Sequence, residues 1–103
     1  MHTGLVEITK TVEQLAKLPN VEQVRAIASS TNSLHEITFE VLPCDIDSPE
    51  NGELTKKAVS LAIDTEWELS DKTGNENCLF GVQLVGVFQN KGRVVATTAP
   101  ILS

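Results

Sequence analysis

The sequence has no tyrosine, one tryptophan and three phenylalanines in 103 residues, so aliphatic side chains must build most of its core. Cysteine is nearly as scarce. Cys44 and Cys78 are two thiols only, too few for a small disulfide scaffold, and no CxxC spacing suggests zinc or a redox pair. They read as reduced thiols at or near strand ends, with a disulfide between them left open. A catalytic thiol would need His2 or His35 as base, and neither sits in a recognisable motif. Basic residues are outnumbered, eight Lys or Arg against fourteen Asp or Glu, for a formal net charge of -6. That balance argues against a nucleic-acid partner, whose phosphates call for clustered cations. No segment approaches the roughly 18 consecutive apolar residues of a membrane span, so no membrane partner is expected. The opening Met1-His2-Thr3-Gly4 lacks the charged region and apolar run of a signal peptide. The expectation is a soluble, cytoplasmic protein.

What is present fits one folded unit, a single α+β domain over residues 1–103. At 41% hydrophobic and 21% charged, the composition is that of an ordinary globular chain. Leu5, Ile8, Val12 and Leu15 recur at helical spacing, with Ala16 and Leu18 widening the stripe. Glu7, Lys10, Glu13, Gln14 and Lys17 fill the other face, and Pro19 ends the helix. Asn20 and Gln23 then suggest a capping box, and Val21, Val24, Ile27 and Ala28 the stripe of a second, short helix. A helical pair is therefore predicted over residues 4–29, halted by the polar run 29–33.

The period then changes to two. Ile37, Phe39 and Val41 alternate with Glu36, Thr38 and Glu40, predicting a half-buried strand over 34–42. Residues 43–57 hold two prolines and a glycine and read as a long loop with a turn at Pro49 to Gly52. Residues 58–69 put Val59, Leu61, Ile63, Thr65, Trp67 and Leu69 opposite Ser60, Asp64, Glu66 and Glu68, predicting a long strand with one wet face. Residues 78–89 are apolar on both sides: Cys78, Phe80, Val82, Leu84 and Phe88 on one, Leu79, Val85 and Val87 on the other. Gly81 and Gly86 inside this strand suggest bulges or close backbone approach. Asn90-Lys91-Gly92 is a hairpin turn signal, and 93–98 a returning strand. The expected architecture packs the helical pair on a three- to four-stranded antiparallel sheet of 34–42, 58–69, 78–89 and 93–98.

No catalytic constellation emerges, and neither enzyme activity nor a cofactor is expected. Asp45-x-Asp47 begins like a calcium loop, but Pro49 takes the third ligand position and the glycine falls late, so no metal site is expected. Asp64, Glu66 and Glu68 form a carboxylate row about 7 Å apart on an exposed strand, a solubilising face or an acidic patch for a basic partner. His35 reads as structural. Trp67 fits core packing or an anchor at a partner interface.

The strands resemble those of SecB-type protein-export chaperones. Ile37-Thr38-Phe39-Glu40, followed by Pro43, is similar to the first strand of that family. The stretch from Val59 through Phe88 is similar to its later strands, ending in Val82-Gln83-Leu84-Val85-Gly86-Val87-Phe88. Here the helices precede the sheet. The resemblance implies a four-stranded antiparallel sheet, no catalysis, oligomerisation and apolar grooves for unfolded polypeptide. A binding protein of this kind would use Leu79, Val82, Leu84, Val85, Val87, Phe88 and Trp67 for a polypeptide partner or a homo-oligomer seam. Two alternatives stand beside it. One is a small acidic phage or mobile-element inhibitor that binds a basic surface through Asp64, Glu66 and Glu68. The other is a cystatin-like, cone-shaped domain with a small-molecule pocket.

Overall fold

The computed structural model describes residues 3–28, 36–73, 79–88 and 92–98. His35, Cys78, the polar run 29–33 and the tail 99–103 lie outside the described residues. The chain is α+β, with two helices and a four-stranded mixed sheet, in the order α1 (Thr3–Ala16), β1 (Val21–Ala28), β2 (Glu36–Pro43), α2 (Asn51–Thr73), β3 (Leu79–Leu84) and β4 (Arg93–Thr97).

α1 forms where its apolar period predicts, with Ile8, Val12 and Leu15 buried on the sheet and Leu5 39% exposed at the start. Its other side is not wholly wet. Glu7 and Thr11 are buried as well, and the Thr11 hydroxyl meets that of Thr65 on α2. α1 therefore packs on two neighbours, the sheet below and α2 beside it.

The second predicted helix is instead β1. Val21, Val24 and Ile27 repeat at a helical interval, yet they are β-branched residues suited to a pleated surface. Between them Ala26 and Ala28 alternate with Val24 on the face beneath the helices, opposite Phe39, Ile37 and Val41 of β2. Asn20 caps no helix. It takes a positive φ of 67° at the corner, a conformation asparagine tolerates, and its carbonyl accepts the Cys44 N–H at 2.8 Å. Its side chain donates to the Asp45 carbonyl at 3.0 Å and to Asn51 Oδ1 at 2.8 Å, and accepts the Asp45 N–H. One residue thus ties the α1–β1 corner to the start of α2.

The long strand expected over 58–69 is the body of α2. Ser48 Oγ accepts the Glu50 N–H at 3.2 Å and the Ser48 carbonyl accepts the Asn51 N–H at 3.1 Å, so Ser48-Pro49-Glu50 is the turn that leads directly into the helix. Leu54, Ala58, Ala62, Thr65 and Leu69 form its buried stripe.

Because α2 intervenes, β3 returns parallel to β2 rather than antiparallel, as a crossover helix requires. β1 pairs antiparallel with both β2 and β4, giving the order β3-β2-β1-β4. The sheet is therefore mixed, not antiparallel, and its last two strands lie at opposite edges. Both helices cover one face: α1 packs chiefly on β1 and β4, α2 on β3. Phe39 is fully buried at the centre and meets Phe80 edge-on, ring centroids 5.8 Å apart. Burial of such a ring contributes about 1.5–3 kcal/mol.

Candidate protein-binding edge

β3 is an edge strand. Its alternation follows the pleat, with Phe80, Val82 and Leu84 half-buried under α2 and Leu79, Gly81 and Gln83 exposed on the opposite face. Of the described residues within 78–89, Leu79–Leu84 pair as strand. The Val85 N–H still reaches the Val41 carbonyl at 3.0 Å, and then the chain bends away at Gly86 and Val87. Neither glycine marks a close approach, because a Cβ at Gly81 or Gly86 would meet nothing within 4 Å.

The Val85 bond fixes which backbone groups face outward. Groups of alternate residues point to opposite sides, so those of Gly81, Gln83 and Val85 turn to β2. Those of Phe80, Val82 and Leu84 turn to the free edge. The edge carries no charged residue and no proline, the devices that usually blunt one. At the other side of the sheet, β4 is only five residues long, begins at Arg93 and pairs with a register shift at Ala26/Ile27. β3 is the less guarded edge.

One helix side chain does reach it. Glu66 Oε1 accepts the Phe80 N–H at 3.1 Å. The three carboxylates read as a row are thereby separated. Asp64 and Glu68, four residues apart on α2, share an exposed face, whereas Glu66 points about 200° away from each, toward β3.

Helical winding also divides the apolar half of 59–69. Leu61, Thr65 and Leu69 turn inward, and Val59, Ile63 and Trp67 form a second stripe at four-residue spacing that stays on the surface. They are 39%, 44% and 71% exposed. Trp67 is thus no core residue. On the helix this stripe directly follows Glu66, so it flanks the open edge of β3. Among the described residues, the outward backbone groups of Val82 and Leu84 and this exposed apolar stripe both lie on the β3 side of the fold.

A second feature lies on the face away from the helices. Arg25 Nε donates to Glu40 Oε1 at 2.7 Å, and the Glu40 side chain is only 2% exposed. Phe88 lies over the pair, its ring centroid 4.4 Å from the Arg25 guanidinium carbon. The expectation that Phe88 shares a face with Phe80 and Val82 is corrected here: beyond β3 it crosses to the other side. Val87, 58% exposed, is beside it. Sequence reasoning missed this buried pair, since Arg25 was placed on a helix and Glu40 on a wet face. In the acidic loop Asp45, Asp47 and Glu50 are exposed, and the described residues hold no cluster of three or more side chains able to bind a metal.

Compared with protein-family models, curated proteins and solved structures, the chain matches none. The SecB-like reading leaned on 59–69 as a strand, and that segment is helix.

Proposed function

We propose that the domain is a non-enzymatic protein-interaction module that receives an extended polypeptide strand on the free edge of β3. The observation behind this reading is the coincidence of a sparsely guarded edge with an unburied apolar stripe: among the described residues, Val82 and Leu84 offer backbone donors and acceptors on the side of the fold that carries Val59, Ile63 and Trp67. Strand addition supplies affinity through main-chain hydrogen bonds, while alternate side chains set the fit. A chaperone-like capture of unfolded protein is one form of such a role. The half-buried Phe80, Val82 and Leu84 give the incoming strand an apolar floor.

Light scattering with a reduced, unfolded test polypeptide checks the reading. Binding should resist salt and be lost in Val82→Pro, where the missing N–H is one the isolated sheet does not use. No binding by the wild-type protein at any concentration would exclude it.

A second reading has its own observation. Glu53, Asp64, Glu68 and Asp71 are exposed along α2, a face suited to a basic protein surface. Binding through that face should weaken steeply as salt rises and survive Val82→Pro.

A further inference from the structure

We infer that α2 docks the arginine-bordered apolar face of a partner helix, with an arginine guanidinium stacked on Trp67 between Asp64 and Asp71. The inference rests on the acidic-face reading above and names the chemistry of its partner.

The first argument is how α2 divides its surface. Each residue turns the helix by about 100°. Trp67 therefore stands at a border. Ile63 and Val59 lie about 40° and 80° to one side of it, and Asp71 and Asp64 about 40° and 60° to the other. All five are exposed, Trp67 at 71%. One side of the indole is an apolar ridge, and the other is a pair of carboxylates. Side chains at four-residue spacing form the ridge that settles into a groove in the commonest packing of two helices.

The second argument is charge. Asp64, Glu68 and Asp71 follow one another at spacings of four and three, which sets like charges side by side along the helix and weakens it. Asp71 also stands in the last turn, at the negative end of the helix dipole, where a cation is favoured. Among the described residues, neither Asp64 nor Asp71 belongs to an ion pair. Lys56 is held to Glu53 at 3.6 Å toward the other end of the helix, and Lys57 follows it there. A cationic side chain arriving at Trp67 relieves both costs at once, and the net charge of -6 draws it in.

The third argument is the kind of cation. The face of an exposed indole attracts a positive charge. A guanidinium is flat and stacks there while its N–H fork reaches outward to carboxylates, whereas an ammonium has no flat face to offer. Asp64 and Asp71 lie about 4.5 Å and 6 Å from Trp67 along the axis, in opposite directions. A group centred on the indole thus has an acceptor above and below.

Calorimetric titration of the full chain tests the inference, with Trp67 as fluorescent reporter because it is the single tryptophan of the chain. The probe is an amphipathic peptide of leucine and arginine at helical spacing, short enough to be unfolded alone, and a second probe carries lysine for arginine. The arginine probe should bind with a gain of helix and shift Trp67 emission to the blue. Its affinity should exceed that of the lysine probe by about threefold. Trp67→Leu should erase that preference. Asp64→Asn with Asp71→Asn should weaken both probes roughly tenfold and flatten the salt dependence. These positions are exposed, so the circular dichroism of the variants should match the wild type. Equal affinity for the two probes, a preference that survives Trp67→Leu, indifference to the Asp variants, or binding without gain of helix overturns the inference. If the probes in that event still bind and are released by salt, the acidic-face reading stands without it. No binding by either probe overturns both.

Discussion

Glu66 Oε1 accepts the Phe80 N–H at 3.1 Å, so a helix carboxylate occupies the first outward donor of β3. It acts as a partial guard at one end of an edge otherwise free of charge. Its removal should have two consequences of opposite sign.

Glu66→Ala should lower the stability of the isolated domain by about 1–2 kcal/mol, the range for a partly exposed bond to a charged acceptor. It should also speed exchange of the Phe80 amide in dilute protein and, if the edge receives a strand as proposed, strengthen binding of an unfolded polypeptide several-fold, because one more donor becomes available. Amide exchange and light scattering with an unfolded polypeptide read the two effects separately. Unchanged Phe80 exchange would show that Glu66 does not guard the edge.

The Arg25–Glu40 pair should respond asymmetrically. Arg25→Met leaves the Glu40 carboxylate buried without its cation and should cost about 3–5 kcal/mol in urea unfolding. Exchanging both residues, as Arg25→Met with Glu40→Leu, should recover most of that loss. A double variant as unstable as the single would mean that the pair is not the source of the cost.

Phe88→Ala should destabilise by about 1–3 kcal/mol through lost apolar burial and lost contact with the guanidinium. Combined with Arg25→Met, the effects should fall short of additive, since both changes dismantle one contact. Strict additivity in thermal unfolding would separate them.

Thr11 and Thr65 meet between the helices, and each hydroxyl also lies 2.9 Å from its own i-4 carbonyl, Glu7 and Leu61 respectively. Two hydroxyl protons thus serve three contacts. Each single Thr→Val change should cost about 1 kcal/mol, and the double change less than the sum, because buried polar groups are costly chiefly when one is left alone. A denaturation cycle measures the coupling.

Asn20→Ala should be more destabilising than Asn20→Gly by about 1 kcal/mol. Both lose the bonds to Asp45 and Asn51, but only alanine must also hold the left-handed corner. Equal midpoints in urea would assign the whole cost to the hydrogen bonds.

The elements legible in the sequence were those with one environment per face. Ile8, Val12 and Leu15 mark α1, and Ile37, Phe39 and Val41 mark β2, because each set buries one side against a single neighbour. The strand over 93–98 was read within a residue. β1 was hidden because both its faces are covered. Ile27 is fully buried beside Thr38 and Val94 on the face away from the helices, which made Val24 and Ile27 look like a helical interval. α2 was hidden for another reason. An apolar residue at every second position also satisfies two helical stripes at fourfold spacing, so 59–69 fits either period. Leu54, Ala58 and Ala62 carry the deciding signal, together with Ser48-Pro49-Glu50, whose proline stands in the turn before a helix instead of closing a strand. The candidate site was half legible. Val82, Leu84 and Trp67 do border the open edge, but the acidic row is broken by the turn of the helix. Val59 and Ile63 stay on the surface because α2 has one apolar stripe more than the core consumes.

The strand order β3-β2-β1-β4 also carries a history. The central pair is the first to be made along the chain, and each later strand attaches outside what already stands, first on one flank and then on the other. Such an order allows the sheet to be assembled from the middle outward in the direction of synthesis. Its newest margins are held by a single neighbour each and should be the first to open. A nascent chain that folded in this order would complete its hairpin and cover it with α1 before β3 exists, leaving the β3 margin until a scaffold is ready to hold it.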